Sequence, residues 1–272
     1  MRFNALAGYP CHSMRTWLGM GLLGLVLGTA SPIRAQAALV EDFETTILGS
    51  GTLFNTPRFS GSTRALIRPT PDVGRVIAMP SPRSPFWPGS RQVFELQWDY
   101  YWDNRARWLR LTTFNTPRRP NPIIDINRPL TFAIYTTAPV RLAIGIRETS
   151  VFGPIGSNGG STGAIEWVSN SGLRTDGQTV DPGGILLTAG QWQTVTFNLP
   201  AIPRNQAAPG QVATFAGGDG RLNGPGGYTL EHFAFTGVPG HLGVQIFIDD
   251  ITQPAVNAQK SPSLIDLLAA IR

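Results

Sequence analysis

Hydrophobic and polar positions alternate with a period of two over several stretches of this chain. In Val93–Trp102, one parity carries Phe94, Leu96, Trp98, Tyr100 and Trp102. The other carries Val93, Glu95, Gln97, Asp99 and Tyr101. An apolar face backed by a mostly polar one is the mark of a half-buried β-strand. Trp108–Phe114 follows an Asp103-Asn104 turn, which predicts a hairpin. Leu130–Thr136 and Val140–Arg147 form a second expected pair across Ala138-Pro139. There Leu142, Ile144 and Ile146 share a face, with Arg141 and Arg147 opposite. Gln191–Leu199, Tyr228–Thr236 and Leu242–Ile251 complete the set of strands. Trp98 and Trp102 are expected in the core, and Trp192 as a structural strand residue.

Between these runs the chain is rich in Gly (31) and Pro (23), which break helices and punctuate short strands. The pattern predicts an all-β fold, an antiparallel β-sandwich. Three stretches read as long loops, 53–89 (around one or two weak strands), 150–162 and 200–227. Trp87, in Pro85-Phe86-Trp87-Pro88, is a loop aromatic and a rival contact residue. Thr252–Lys260 reads as a linker before a short C-terminal helix, with Ser263 at its N-cap and Leu264, Leu267, Leu268 and Ile271 on one face.

The N-terminus has a different character. Met14-Arg15-Thr16-Trp17 is a basic start, Leu18–Thr29 is uncharged and apolar, and Ala35-Gln36-Ala37 offers small residues at alternate positions. This is the layout of a secretory signal peptide over 14–37, cleaved after Ala37. The apolar run is shorter than the ~20 residues a membrane span needs. The expected organisation is a leader at 1–37, a sandwich domain at 38–253 and a tail at 254–272, with no transmembrane span after cleavage. Such a protein is secreted, whether extracellular, periplasmic or at the cell surface.

Cleavage would change the charge. Arg2, Arg15 and Arg34 leave and no acid does, so a net charge of +5 becomes +2. That weak basicity, without basic runs, gives no reason to expect a nucleic-acid partner. Cys11, the single cysteine, lies in the leader. The mature chain has no disulfide, and its core must supply its stability.

No catalytic centre is evident. Gly159-Gly-Ser-Thr-Gly163 has the spacing of a nucleophile elbow, but no helical pattern follows it. His232 and His241 are the histidines left after the leader, and neither sits at a zinc-binding spacing. The sequence therefore predicts a protein that is not an enzyme.

Four pieces carry a resemblance: Val40-Glu-Asp-Phe-Glu44; Pro129–Tyr135 with Leu142–Glu148; Ala189–Pro200; and Gln245-Ile-Phe-Ile-Asp-Asp-Ile251. In this order they resemble the galactose-binding-like jelly-roll superfamily, in particular family 11 and family 4/22-type carbohydrate-binding modules. The resemblance implies a jelly roll whose first and last strands share a structural Ca2+. Glu44, Asp249 and Asp250 match its ligand positions, and Asp42 shares a strand face with Glu44. The physical argument is independent: carboxylates clustered from distant segments suit calcium, which takes several oxygen ligands.

The resemblance also implies sugar binding on the polar sheet face. Gln97, Asp99, Tyr101, Tyr135 and Arg147 are the candidate contacts, with rings to stack on pyranoses and polar groups to bond hydroxyls. The expected role is a non-catalytic carbohydrate-binding protein whose partner is a polysaccharide or glycan. The alternative is a structural or protein-interaction sandwich of the envelope or matrix, with a cell-surface protein as partner. A groove filled by the 53–89 or 200–227 loop would favour that alternative.

Overall fold

A computed structural model describes residues within 38–254, apart from 52, 61–62, 86–88, 104–106, 117–118, 150–162, 169–183, 208–211 and 216. The expected signal peptide, Trp87, the Gly-rich serine motif up to residue 162 and the C-terminal helix lie outside the described residues.

Two antiparallel sheets face each other. The first has the order β10 (Trp192–Phe197), β6 (Leu130–Thr136), β13 (Gly243–Gln253), β3 (Gln92–Tyr100), β2 (Ile67–Ala78), with β1 (Ala38–Glu41) also paired to β13. The second has the order β11 (Val212–Phe215), β8 (Gly163–Val168), β7 (Val140–Thr149), β12 (Tyr228–Gly237), β4 (Trp108–Thr112). The short β5 (Ile123–Ile124) extends it beside β12, and β9 (Ile185–Leu187) extends it beside β7. This is the all-β antiparallel sandwich that the alternation predicts.

The expected hairpins are not hairpins. β3 pairs with β2 and β13, whereas β4 pairs with β12 in the other sheet. β6 and β7 likewise belong to different sheets. Each connection carries the chain across the sandwich, so the two apolar rows face one another instead of lying side by side. Alternation fixes which face of a strand is apolar, but not which strand lies next to it.

β2 is an edge strand with no clean alternation, twelve residues long where the sequence suggests only a weak strand within the 53–89 loop. Pro69 and Pro71 explain its place, because proline cannot donate to a ladder on both sides. Register slips between Ile67 and Asp72, around the two prolines.

The core between the sheets is a connected series of rings. Phe43 stacks on Phe94 at 5.6 Å, Phe94 meets Phe54 at 5.9 Å, and Phe54 meets Phe233 at 4.7 Å. Phe233 stacks on Phe132 at 5.2 Å, which reaches Phe197 at 6.1 Å. Trp98 packs on Phe235 at 5.4 Å. The buried Tyr100 hydroxyl donates to the Phe235 carbonyl at 2.8 Å, joining the sheets by a hydrogen bond as well as by packing. Ring pairs of this kind contribute ~0.5–1.5 kcal/mol each beyond their area. Trp98 is core as expected. Trp102 is not: it lies beyond the end of β3, 41% exposed, with its ring 5.3 Å from that of Tyr101.

The outward face of the second sheet is also closed. Trp108, Ala143, Ile165, Trp167 and Ala234 form a second buried cluster there, against Leu66. Residues of the 53–89 stretch contribute to the cover. The Ser60 hydroxyl accepts from Arg110 Nε at 2.7 Å, and the Thr63 hydroxyl accepts from the Arg110 backbone N–H. Gly145 makes room for the His232 ring against Trp167, 5.7 Å between centroids. A Cβ at Gly145 would lie 2.8 Å from His232 Cβ and 3.2 Å from Trp167 Cζ3. Gly145→Ala is therefore expected to destabilise the fold by ~1–3 kcal/mol, the usual cost of overpacking, measured by chemical denaturation.

Candidate functional site

The outward face of the first sheet is built by strand register. Arg75 on β2 stands opposite Glu95 on β3, Glu95 opposite Phe247 on β13, Phe247 opposite Tyr135 on β6, and Tyr135 opposite Trp192 on β10. One row thus crosses five strands, polar at one end and aromatic at the other. Arg75 Nε donates to Glu95 at 2.8 Å, and Gln245 Nε2 donates to the other Glu95 oxygen at 2.8 Å. The Tyr135 ring lies 5.9 Å from both Trp192 and Phe247. The next row places Gln97 opposite Gln245, and beyond it Asp99 stands opposite Gly243.

Four of the five candidate sugar contacts therefore belong to the first sheet or its margin. Gln97, Asp99 and Tyr135 are half-exposed, and Tyr101, just past β3, is 41% exposed beside Trp102. The fifth stands apart. Arg147 is on β7 in the second sheet, 4% exposed. Its Nη2 donates to Glu231 at 3.0 Å, its Nε donates to the other Glu231 oxygen, and its Nη1 donates to the Gly163 carbonyl. Its parity opposite Ile146 is as expected, but that face is covered. Burial alone would raise the Glu231 carboxyl. The His232 and Arg147 donors outweigh it and bring the group down to about 2.

The segment between β2 and β3 lies over the aromatic end of the first sheet. Trp192 Nε1 donates to the Pro82 carbonyl at 2.8 Å, and Met79 packs with Val93, Ala133, Trp192 and Phe247. The polar end, with Gln97 and Asp99, stays half-exposed.

Beneath the same segment lie the acids of the chain ends. β1 pairs with the end of β13, with Glu41 opposite Ile251, which brings Asp42 and Glu44 toward Asp249 and Asp250. Phe43 (φ 62) and Asp250 (φ 47) take left-handed backbone there. The Asp249 side chain is 0% exposed; the Ser90 hydroxyl and the Asp250 backbone N–H are the donors beside it, and neither meets an oxygen in good hydrogen-bond geometry. Burial, then the charge of Asp250, pushes its carboxyl up to about 7. Asp250 is pushed up to about 6 by burial and by Asp42 and Glu44.

Glu44 is employed differently. Its Oε1 accepts from the backbone N–H of Arg91 at 2.6 Å and of Gln92 at 2.9 Å, and from the Ser90 hydroxyl at 3.0 Å. Burial opposes ionisation, but these donors and the Arg91 side chain hold its carboxyl below the usual range. The orphaned oxygens of Asp249 fit a cation, while Glu44 already anchors residues 90–92. No three of the four acids bring oxygens within 4.8 Å of one another.

Among the described residues, the group that does so is Glu148, Glu166 and Asp219, which could hold a metal ion. Burial raises Glu148 and pushes Glu166 up to about 7. Nothing in the sequence marks these three as a set. Glu148 and Glu166 share the parity of core residues, and Asp219 sits in a glycine-rich loop.

The raised acids set a pH dependence. Asp249, Asp250 and Glu166 hold protons more tightly folded than unfolded, so their contribution is fully present below their ordinary range of ~4 and is lost as pH rises through 6–7. Glu231 acts in the opposite sense, and its contribution fades as pH falls toward 2. Cation-free protein is expected to lose thermal stability between pH ~4 and ~7, and Asp249→Asn to remove part of that decline, as followed by calorimetry.

No protein family and no curated protein matches this chain. Among solved structures, the chain is similar to the family 11 carbohydrate-binding module of a cellulosomal cellulase of Clostridium thermocellum. The two are 12% identical with a TM-score of 0.40, over 80% of this chain and 94% of the module. It is also similar to an exo-β-agarase, at 12% identity and a TM-score of 0.39, over 80% of this chain and 25% of that one.

Proposed function

We propose that this is a secreted, non-catalytic carbohydrate-binding protein whose binding surface is the outward face of the first sheet, with a structural calcium at Asp249 and its neighbours Asp42 and Asp250, Glu44 being taken up by residues 90–92. One observation carries the binding surface. Tyr135 stands half-exposed between Phe247 and Trp192, in the row adjoining Gln97 and Gln245. A pyranose offers an apolar face of C–H groups and a rim of hydroxyls. An aromatic ring beside amides and carboxylates answers both, as small-ligand sites do with a few placed polar groups on an apolar floor. Asp99 continues the polar side. Tyr101 and Trp102, each 41% exposed, supply a further stacking platform at the margin. The orphaned, buried Asp249 carboxylate supports the calcium.

Arg147 takes no part in this reading, because its guanidinium is committed to Glu231. A second reading, a docking module for a cell-surface protein, is favoured by the cover that 53–89 lays over parts of both outward faces.

Retention on insoluble polysaccharides and glycan arrays tests the choice. Selective retention is expected, and Tyr135→Ala and Gln97→Ala should each reduce it at least tenfold without lowering thermal stability much. Arg147→Ala should do the reverse: it strands Glu231 in the interior, at a cost of ~3–5 kcal/mol in denaturant unfolding. Failure on plant, algal, bacterial and host glycans would transfer the case to the docking module.

A further inference from the structure

We propose that Glu148, Glu166 and Asp219 form a calcium site, distinct from the acids of the chain ends, that fastens the 217–224 loop to the ends of β7 and β8. Ile146 stands opposite Glu166 and Glu148 opposite Ala164, so the two glutamates are diagonal neighbours on adjacent strands. Both share the inward parity of Ile144 and Ile146. The glycine-rich loop lies across them. Glu166 Oε1 accepts from the backbone N–H of Asp219 and from that of Gly220 at 3.0 Å. Glu148 Oε1 accepts from the backbone N–H of Asn223 and Gly224. The approach is close: a Cβ at Gly218 would stand 2.3 Å from Glu166 Oε1, and one at Gly224 would stand 2.5 Å from Glu148 Cβ.

Backbone donors thus hold one oxygen of each glutamate. The other oxygen of Glu166 is buried on a residue 0% exposed and has no partner. A carboxylate oxygen withdrawn from water and left unbonded carries a large desolvation cost unless a cation or proton meets it. The guanidinium groups nearby do not meet it. Arg204 donates to the carbonyls of Ile126 and Leu199, and Arg221 reaches Asp219 at 4.0 Å.

The donor set selects a hard cation. Ligand atoms of the three acids lie within 4.8 Å of one another. Oxygens so placed fall inside a calcium coordination sphere, about twice a Ca–O distance of ~2.4 Å across, and calcium accepts irregular sets of oxygens where magnesium demands a near-ideal octahedron. The donors are all hard oxygens, with no histidine or thiol to favour zinc or copper. Asp219 is exposed, giving the ion a route from solvent, and the loop carbonyls and water can fill the remaining positions.

Chelator-treated protein titrated with CaCl2 by calorimetry tests the site, beside Glu166→Gln, Asp219→Asn and Asp249→Asn. Glu166→Gln and Asp219→Asn are each expected to remove one calcium equivalent or weaken it at least tenfold. Asp249→Asn should leave that equivalent in place. Asp219 is exposed, so its variant keeps the test decisive should Glu166→Gln fold poorly. Wild-type affinity and stoichiometry in both variants, or no calcium uptake by the wild type, would overturn the proposal.

Discussion

The chain of rings from Phe43 through Phe94, Phe54, Phe233 and Phe132 to Phe197 is the interaction on which this sandwich depends. It links β3 and the 53–55 segment to β12 in the opposite sheet, then returns to β6 and β10. With no cysteine after Cys11, no covalent link assists it. Because the chain crosses between sheets at β3–β4 and again at β6–β7, inward rows from successive strands meet face to face. The Tyr100 hydroxyl on the Phe235 carbonyl fixes their spacing where the rings end.

A core so apolar leaves the polar groups at its edges in a difficult position. Three answers are visible. Glu231 takes a guanidinium and an imidazole and stays ionised. Glu44 takes backbone and hydroxyl donors and uses them to anchor residues 90–92. Asp249 and Glu166 keep buried oxygens that no donor meets in good geometry, one residue at each of two carboxylate clusters. The first two arrangements are complete in themselves. The last two are complete only with a proton or a cation, which connects the pH response of the fold to the ions it can hold.

The sequence made the strong strands legible because their apolar parity faces one core. It left β2 as no more than a weak strand within 53–89, since two prolines and an edge position erase the alternation, and it did not make β8, β9 and β11 legible, which are short and set among glycine and serine. Strand order was hidden for a different reason: parity names a face and not a neighbour, so β3–β4 looked like a hairpin. The same limit explains Arg147, whose outward direction was evident but whose pairing with Glu231 on the neighbouring β12 was not. Trp102 kept the parity of a core residue yet fell past the end of the strand. The chain-end acids were visible as a set because they lie in two short motifs. Glu148, Glu166 and Asp219 were not, since they come from three segments.

The proposed sugar-binding surface is the outward face where Tyr135 meets the row of Gln97 and Gln245. Side-chain NMR during titration with soluble oligosaccharides tests it most directly. The account predicts shifts of the Gln97 and Gln245 amides and of the Trp192 indole N–H, at one common affinity. Shifts confined to the second sheet, around Trp108 and Trp167, or no shift at any oligosaccharide concentration, would contradict it.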